Sequence, residues 1–337
     1  MFLNVLLLLS VQMESLKLKL YCLCAGLFHT LIPMNSTSAA NSAQETKGLW
    51  YGLLGVVIFA MTTPMTRLAV GPAIDPQLPP LFVTAGRAAL AGLLSVGYLL
   101  FTQGKRPPRT LWPLIAVCSL GTVVGFPLFL ALALRQVDAM HAAVITGLLP
   151  LATAVAAAVS LRQRPSNGFW LCAVFGFGLV VAFAALQGGG ALVLADGLLL
   201  LAVISASIGY VAGARLSAHM SAEHVICWVL VMSLPLTVPA ALANLPVQAV
   251  RPSAWLGFGY VTLFSMWLGF FAWYRGLALG GTVRVSQVQL VQPFFALLFA
   301  VPVLGESLQP LTVLFSLAVI ATVFIGKKMP VDSRKTI

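Results

Sequence analysis

Charge is what this chain has least of. Only 8% of its 337 residues are Asp, Glu, Lys or Arg, and the acidic ones number just 8. A water-soluble domain needs about 25% charged side chains to cover its surface, so that class is excluded. Cysteine is sparse as well: Cys22, Cys24, Cys118, Cys172 and Cys227 lie in apolar stretches, and only the first two are near one another. Neither a disulfide framework nor a zinc site follows from such spacing. Histidine is confined to the dispersed His29, His141, His219 and His224, with no HExxH arrangement. The His/Glu metal cluster, Asp pair or exposed Ser/His arrangement that an intramembrane enzyme would use is missing. A Walker-type phosphate loop is missing too, which removes ATP as the direct energy source. No metal and no cofactor is expected.

What is abundant is apolar side chain, 60% of the residues. It falls into ten segments near bilayer length, roughly 48–70, 79–101, 111–134, 139–161, 168–187, 194–214, 224–245, 253–277, 282–304 and 309–326. A long apolar segment without alternation must satisfy its backbone hydrogen bonds internally, so each is read as a membrane-spanning helix. A net charge of +11 would suggest nucleic acid in a soluble protein, but here the cations sit in the links. Their expected role is topology, and no nucleic-acid partner is expected. With the amino terminus inside, Lys47, Lys105, Arg106, Arg109, Arg162, Arg164, Arg215, Arg275, Arg284, Lys327, Lys328, Arg334 and Lys335 are cytoplasmic, against Arg67, Arg135 and Arg251 outside. That bias puts both termini in the cytoplasm.

Residues 1–47 are read as an amino-terminal extension, either disordered or an over-extended start. Apolar runs 1–11 and 20–32 are interrupted by Glu14, Lys17 and Lys19, and neither spans a bilayer or looks like a signal peptide. Residues 48–187 and 194–326 are read as two five-helix repeats, and 327–337 as a basic cytoplasmic tail. A shift of 143 positions lays the third and fourth segments on the eighth and ninth: Leu134 meets Leu277, Pro150 meets Pro293, Ala157 meets Ala300 and Leu161 meets Leu304. Gly48 and Arg67 match Gly197 and Arg215 at a slightly different offset. Five helices per repeat is an odd number, so the second repeat enters the membrane inverted, as in many carriers. The expected fold is an all-α integral membrane protein of ten transmembrane helices in two inverted five-helix repeats.

Several local runs look like a known family. Phe129-Leu130-Ala131-Leu132 through Ala142-Ala143, then Leu149-Pro150 and Arg164-Pro165, resembles the fourth-helix region of drug/metabolite transporters of the EamA type. The second copy, Tyr274 to Ser286 with Gln292-Pro293 and Leu304-Gly305-Glu306, resembles it more fully. Trp50, Arg67 and Arg87 also fit the pattern. One departure is Gln163, which stands where the first copy's glutamate is expected. The resemblance implies a carrier with a central cavity lined by helices one to four and six to nine, the fifth and tenth being peripheral. It also implies transport of amino acids, other metabolites, nucleotide-linked sugars or toxic compounds.

Candidate cavity residues follow from polar groups at membrane depth. Arg87 lies well inside the second helix, where an arginine costs about 2.5–3.5 kcal/mol, so it must face protein or water. It reads either as an anchor for a substrate carboxylate or phosphate, or as a clamp on exposed helix-end carbonyls. Ser286, Gln289 and Gln292 form a polar stripe just before Pro293, suited to a cavity or to interhelical hydrogen bonding. Thr146 is the repeat equivalent of Gln289. Pro150 and Pro293 would bend their helices. Tyr260, Phe264, Trp267, Phe271 and Tyr274 recur at spacings of four and three. They make one aromatic face, for a cavity wall at Trp267 and Tyr274 or for ordinary packing. Gly121/Gly125 and Gly209/Gly213 read as helix-packing pairs. Arg67 reads as a topological or snorkelling residue, and Asp138 with His141 as a solvated pair at a helix start. No carboxylate falls at mid-depth. The expected function is secondary transport, by alternating access and more readily outward than inward, of small organic metabolites such as amino acids or toxic compounds. The setting is a bacterial-type cytoplasmic (inner) membrane, the partners are the small-molecule substrate and the lipid bilayer, and a homodimer is admissible. Import or exchange of anionic metabolites, an intramembrane enzyme and a non-transporting scaffold are the alternatives.

Overall fold

The computed structural model describes residues 39–160, 164–187, 192–280, 285, 287–329 and 331–332. Residues Gln44–Ile337 form one compact unit, to which the helices below belong. The reading of residues 1–38 lies outside the described residues, as do Gln163 and Ser286.

Among the described residues, eight helices are long and apolar enough to cross a membrane, and two shorter apolar helices accompany them. They are α1 (Gln44–Val70), α2 (Pro80–Phe101), α3 (Arg109–Ala133), α4 (Ala139–Ser160), α5 (Asn167–Gln187), α6 (Leu194–Leu216), α7 (Ala222–Ala243), α8 (Pro252–Leu279), α9 (Val288–Leu304) and α10 (Pro310–Gly326). Apart from a two-residue antiparallel bridge of Arg164–Pro165 with Val331–Asp332, the described regular structure is helical. Helix is what an apolar chain in lipid must form, because no water is available to its backbone amides.

The pairing of helices follows the internal repeat. α2 packs along α7, α5 along α10, α1 against α8 and α3 against α6. The first two pairs join equivalent positions of the two halves, and the last two are each other's equivalents. Close approach at the last two pairs depends on missing side chains. A Cβ on Gly121 would lie 2.8 Å from Gly209 Cα, and one on Gly276 would lie 2.6 Å from the backbone nitrogen of Gly52. Where packing rather than water exclusion drives association, such contacts between backbones are what hold helices together. α5 is the most lipid-facing of the eight long spans, only 28% buried over its most apolar window, with Leu171, Val174 and Phe175 outward.

Besides α1, which is interrupted at Met61, four spans are irregular, and the irregularities of these four are paired. α3 carries a π-helical segment at Ser119–Gly125 and α8 one at Val261–Leu268; the 143-residue shift lays one on the other. A π-turn inserts one residue into the helix and re-aims the side chains that follow. α4 breaks at Gly147 and Leu148 ahead of a helix Leu149–Ser160, and α9 runs as a 3-10 turn over Gln287–Val291 ahead of Gln292–Leu304. Pro150 and Pro293 are the second residues of those following helices. A proline there needs no intrahelical amide, whereas it would clash with the carbonyl four residues earlier if the helix continued backwards. The bend expected at each proline is therefore a break just before it. The two breaks touch: a Cβ on Gly147 would meet Pro293 Cγ at 3.3 Å.

Candidate functional site

Two adjoining recesses sit where these irregularities converge, with empty volumes of about 320 and 520 Å³. Thr63, Thr146, Leu149 and Gln292 line both, so the recesses form one cavity. The smaller part lies between the broken stretches of α4 and α9, bounded by Gly147, Pro150, Gln289 and Pro293. In the larger part are Phe59 and Thr62 of α1, Arg87 of α2, Thr122 and Phe126 of α3, Tyr210 of α6 and Ser265 with Phe270 of α8.

Each polar group reaches the cavity for a local reason. α1 is interrupted at Met61, ahead of the helix Thr62–Val70 that contains Pro64, and this turns the Thr62 hydroxyl toward Ser265 Oγ at 2.8 Å. Thr122 and Ser265 occupy equivalent positions in the two π-segments. Thr122 Oγ1 donates to Cys118 O at 2.7 Å and Thr146 Oγ1 to Ala142 O at 2.8 Å, so these hydroxyls keep their oxygen lone pairs for the cavity. Gln289 is buried, and its Nε2 has no hydrogen-bond partner. Arg87 is 2% exposed, and its Nε and Nη1 likewise meet no acceptor. A clamp on helix-end carbonyls would hold those nitrogens at bonding distance, and the structure shows no such bonds.

Of the residues expected from sequence, Arg87, Thr146, Pro150, Gln289, Gln292 and Pro293 line this cavity, and Ser286 lies outside the described residues. Trp267 and Tyr274 are placed elsewhere. The π-segment breaks the helical period that put five aromatics on one face. Trp267 packs on Tyr98 and Phe271 at ring distances of 6.3 and 5.0 Å, while Tyr274 packs on Phe270 at 5.6 Å. The aromatics that do face the cavity are Phe59, Phe126, Tyr210 and Phe270. α7, expected among the lining helices, contributes no lining residue; it packs along α2 and against α3 and α8.

A second polar group lies at the end of the bundle opposite residue 328. Arg67 is not a snorkelling residue: it donates to Leu134 O and lies 3.4 Å from Asp138 Oδ1. His141 pairs with Asp196 rather than with Asp138, its Nε2 standing 2.7 Å from Asp196 Oδ1, and both side chains are nearly buried. Asp196 also accepts from Val193 N at 2.9 Å. Gly305 ends α9 in the left-handed conformation, φ 71°, which favours glycine. The turn brings the Glu306 carboxylate to Ala139 N at 2.8 Å and Met140 N at 2.9 Å, so the Leu-Gly-Glu run of one half caps the fourth helix of the other. Burial pushes the Glu306 carboxyl above its ordinary range, against the opposing pull of the two amides and Arg67.

Glu306→Ala is expected to cost about 1–3 kcal/mol by leaving two amides unpaired, and Glu306→Gln less. Because the folded pKa is the raised one, unfolding releases a proton. This group's stabilisation is full below the unfolded value near 4.5 and fades as pH rises through the folded one. Melting temperatures of wild type and Glu306→Gln, measured across that range, should therefore converge or cross with rising pH, and parallel curves would refute the assignment.

The family's sequence model matches the chain twice, over residues 46–184 and 193–326. The chain belongs to the EamA-like transporter family. The two matches coincide with the two halves that the paired irregularities delineate. A curated relative, "Uncharacterized transporter YdeK" of Bacillus subtilis (strain 168), is 42% identical over 287 residues, which cover 85% of this chain and 98% of the relative. A solved crystal structure superposes with a TM-score of 0.57 at 17% identity over 83% of this chain and 95% of its own, a likeness of fold. This EamA-like protein is thus a multi-pass membrane transporter, and its cavity is where the two matched halves meet.

Proposed function

We propose that the protein is a secondary carrier of small organic metabolites that works by alternating access, with export as its main direction and both termini in the cytoplasm. The observation that carries this reading is the meeting of repeat-related breaks at one polar cavity. α4 and α9 touch at Gly147 and Pro293, and the π-segments of α3 and α8 present Thr122 and Ser265 to the same space. Broken helices near mid-membrane give a carrier its binding groups, and two inverted halves of five helices have two nearly equivalent packings. Uncharged amides and hydroxyls also suit a site that must release what it binds. The same pairing supports domain limits near residues 48–187 and 194–326.

Counterflow of labelled solutes in proteoliposomes tests the reading. Gln289→Ala and Gln292→Ala should lower flux severalfold without loss of folded protein, while Leu171→Ala on the lipid face of α5 leaves it unchanged. Reporter fusions at residues 47 and 328 should label the same face. No counterflow of any solute, or equal flux in all three variants, would remove the proposal.

A further inference from the structure

We propose that the cavity selects a small organic monoanion, a carboxylate on an uncharged and partly apolar body, and that Arg87 binds the carboxylate. This deepens the carrier reading and rests on it. Arg87 is nearly fully buried, with two guanidinium nitrogens that meet no acceptor. It is the one charged side chain among the described residues that line either recess. A buried arginine is ordinarily held by a carboxylate or by carbonyls. Here neither acceptor is present, and the side chain that lacks them lines the larger recess, the place a solute would occupy.

Charge counting narrows the class. One cation with no acid beside it balances one negative charge. A dicarboxylate or a phosphate dianion would leave a second charge without a partner in a low-dielectric site. An organic cation, or the ammonium group of a zwitterionic amino acid, would meet a guanidinium and no lining carboxylate. The rest of the lining describes the rest of the solute. Thr62 and Ser265 offer hydroxyls, Gln289 an unpaired amide donor, and Phe59, Phe126 and Phe270 apolar faces. Hydroxy or oxo groups beside a carboxylate, on a short aliphatic or aromatic body, would match these positions.

The test uses the full chain in proteoliposomes, with counterflow of lactate, 2-oxobutyrate and benzoate set against leucine, a primary alkylamine, succinate and inorganic phosphate. At least one monocarboxylate should exchange faster than every member of the other classes, and Arg87→Gln should slow it by about ten- to a hundredfold. Arg87→Lys should retain part of the rate, since it keeps the charge and loses the planar fork. A wild-type measurement avoids dependence on the variant's folding: benzoate should raise the melting temperature of the solubilised protein, and benzamide, its uncharged analogue, should not. Exchange confined to zwitterions or cations, equal stabilisation by benzoate and benzamide, or unaltered monocarboxylate flux in a folded Arg87→Gln overturns the assignment to anions. Those outcomes leave the carrier reading standing, because that reading fails only when no solute class exchanges or when the cavity variants Gln289→Ala and Gln292→Ala behave as wild type.

Discussion

Gly276→Val is expected to lower the melting temperature of the solubilised protein by well over five degrees and to abolish transport, whereas Gly259→Ala in the same span leaves both near wild type. A Cβ on Gly276 would lie 2.6 Å from Gly52 N, 2.9 Å from Gly48 O and 2.9 Å from Gly52 Cα, all of them atoms of a helix that cannot swing aside singly. Ordinary carbon contacts need about 3.5 Å. α1 and α8 would have to part by about 1 Å along their crossing, and overpacking of this kind costs about 1–3 kcal/mol or more. Gly259 has nothing within 4 Å of the same virtual atom, so alanine there brings only its better helix propensity. Function suffers with stability because the same two spans carry Thr62 and Ser265, whose hydroxyls stand 2.8 Å apart in the cavity. An unchanged melting temperature for Gly276→Val would show that α1 and α8 are not held backbone to backbone.

Much of this arrangement was legible in the sequence, for reasons that also mark the boundary of what was not. Span limits follow from apolar length, and Gly121/Gly125 and Gly209/Gly213 are legible as packing pairs from small residues one turn apart, while the meeting of Gly121 with Gly209 is known only from the fold. Pro150 and Pro293 exposed the breaks because a missing amide leaves its mark in the sequence itself. The π-segments leave none: an extra residue per turn is invisible to a period count, and that count wrongly kept Trp267 and Tyr274 on one face. Thr62, Thr122 and Ser265 were missed because a lone hydroxyl in an apolar helix usually bonds its own backbone, as Ser95 does to Ala91 O and Thr237 to Ser233 O. His141 was paired with the wrong aspartate since Asp138 is near in sequence, whereas Asp196 is 55 residues away and near only after folding.

That His141–Asp196 contact should prove strongly non-additive. His141→Leu leaves a buried carboxylate with Val193 N as its remaining partner, a situation that costs about 3–5 kcal/mol when a buried pair is broken. Asp196→Leu strands an imidazole that is neutral when deprotonated, and it also frees Val193 N, for about 1–3 kcal/mol per group. Replacing both should recover most of the first loss, because two leucines would leave neither charge nor ring nitrogen unpaired against Phe183, whose ring stands 5.1 Å from that of His141. A double-mutant cycle on melting temperature measures this coupling, and additive single losses would refute it. The consequence reaches the cavity. His141 on α4 and Asp196 on α6, Glu306 after α9 on the start of α4, and Asp75 on Arg251 all tie one half to the other at the same end. On the alternating-access reading proposed above, opening of the cavity toward that end is expected to part them. In a cysteine-free background, Thr146→Cys should react with a membrane-impermeant maleimide from that end several times faster once His141 is leucine. A rate that does not change would mean that these ties fasten the fold without governing access.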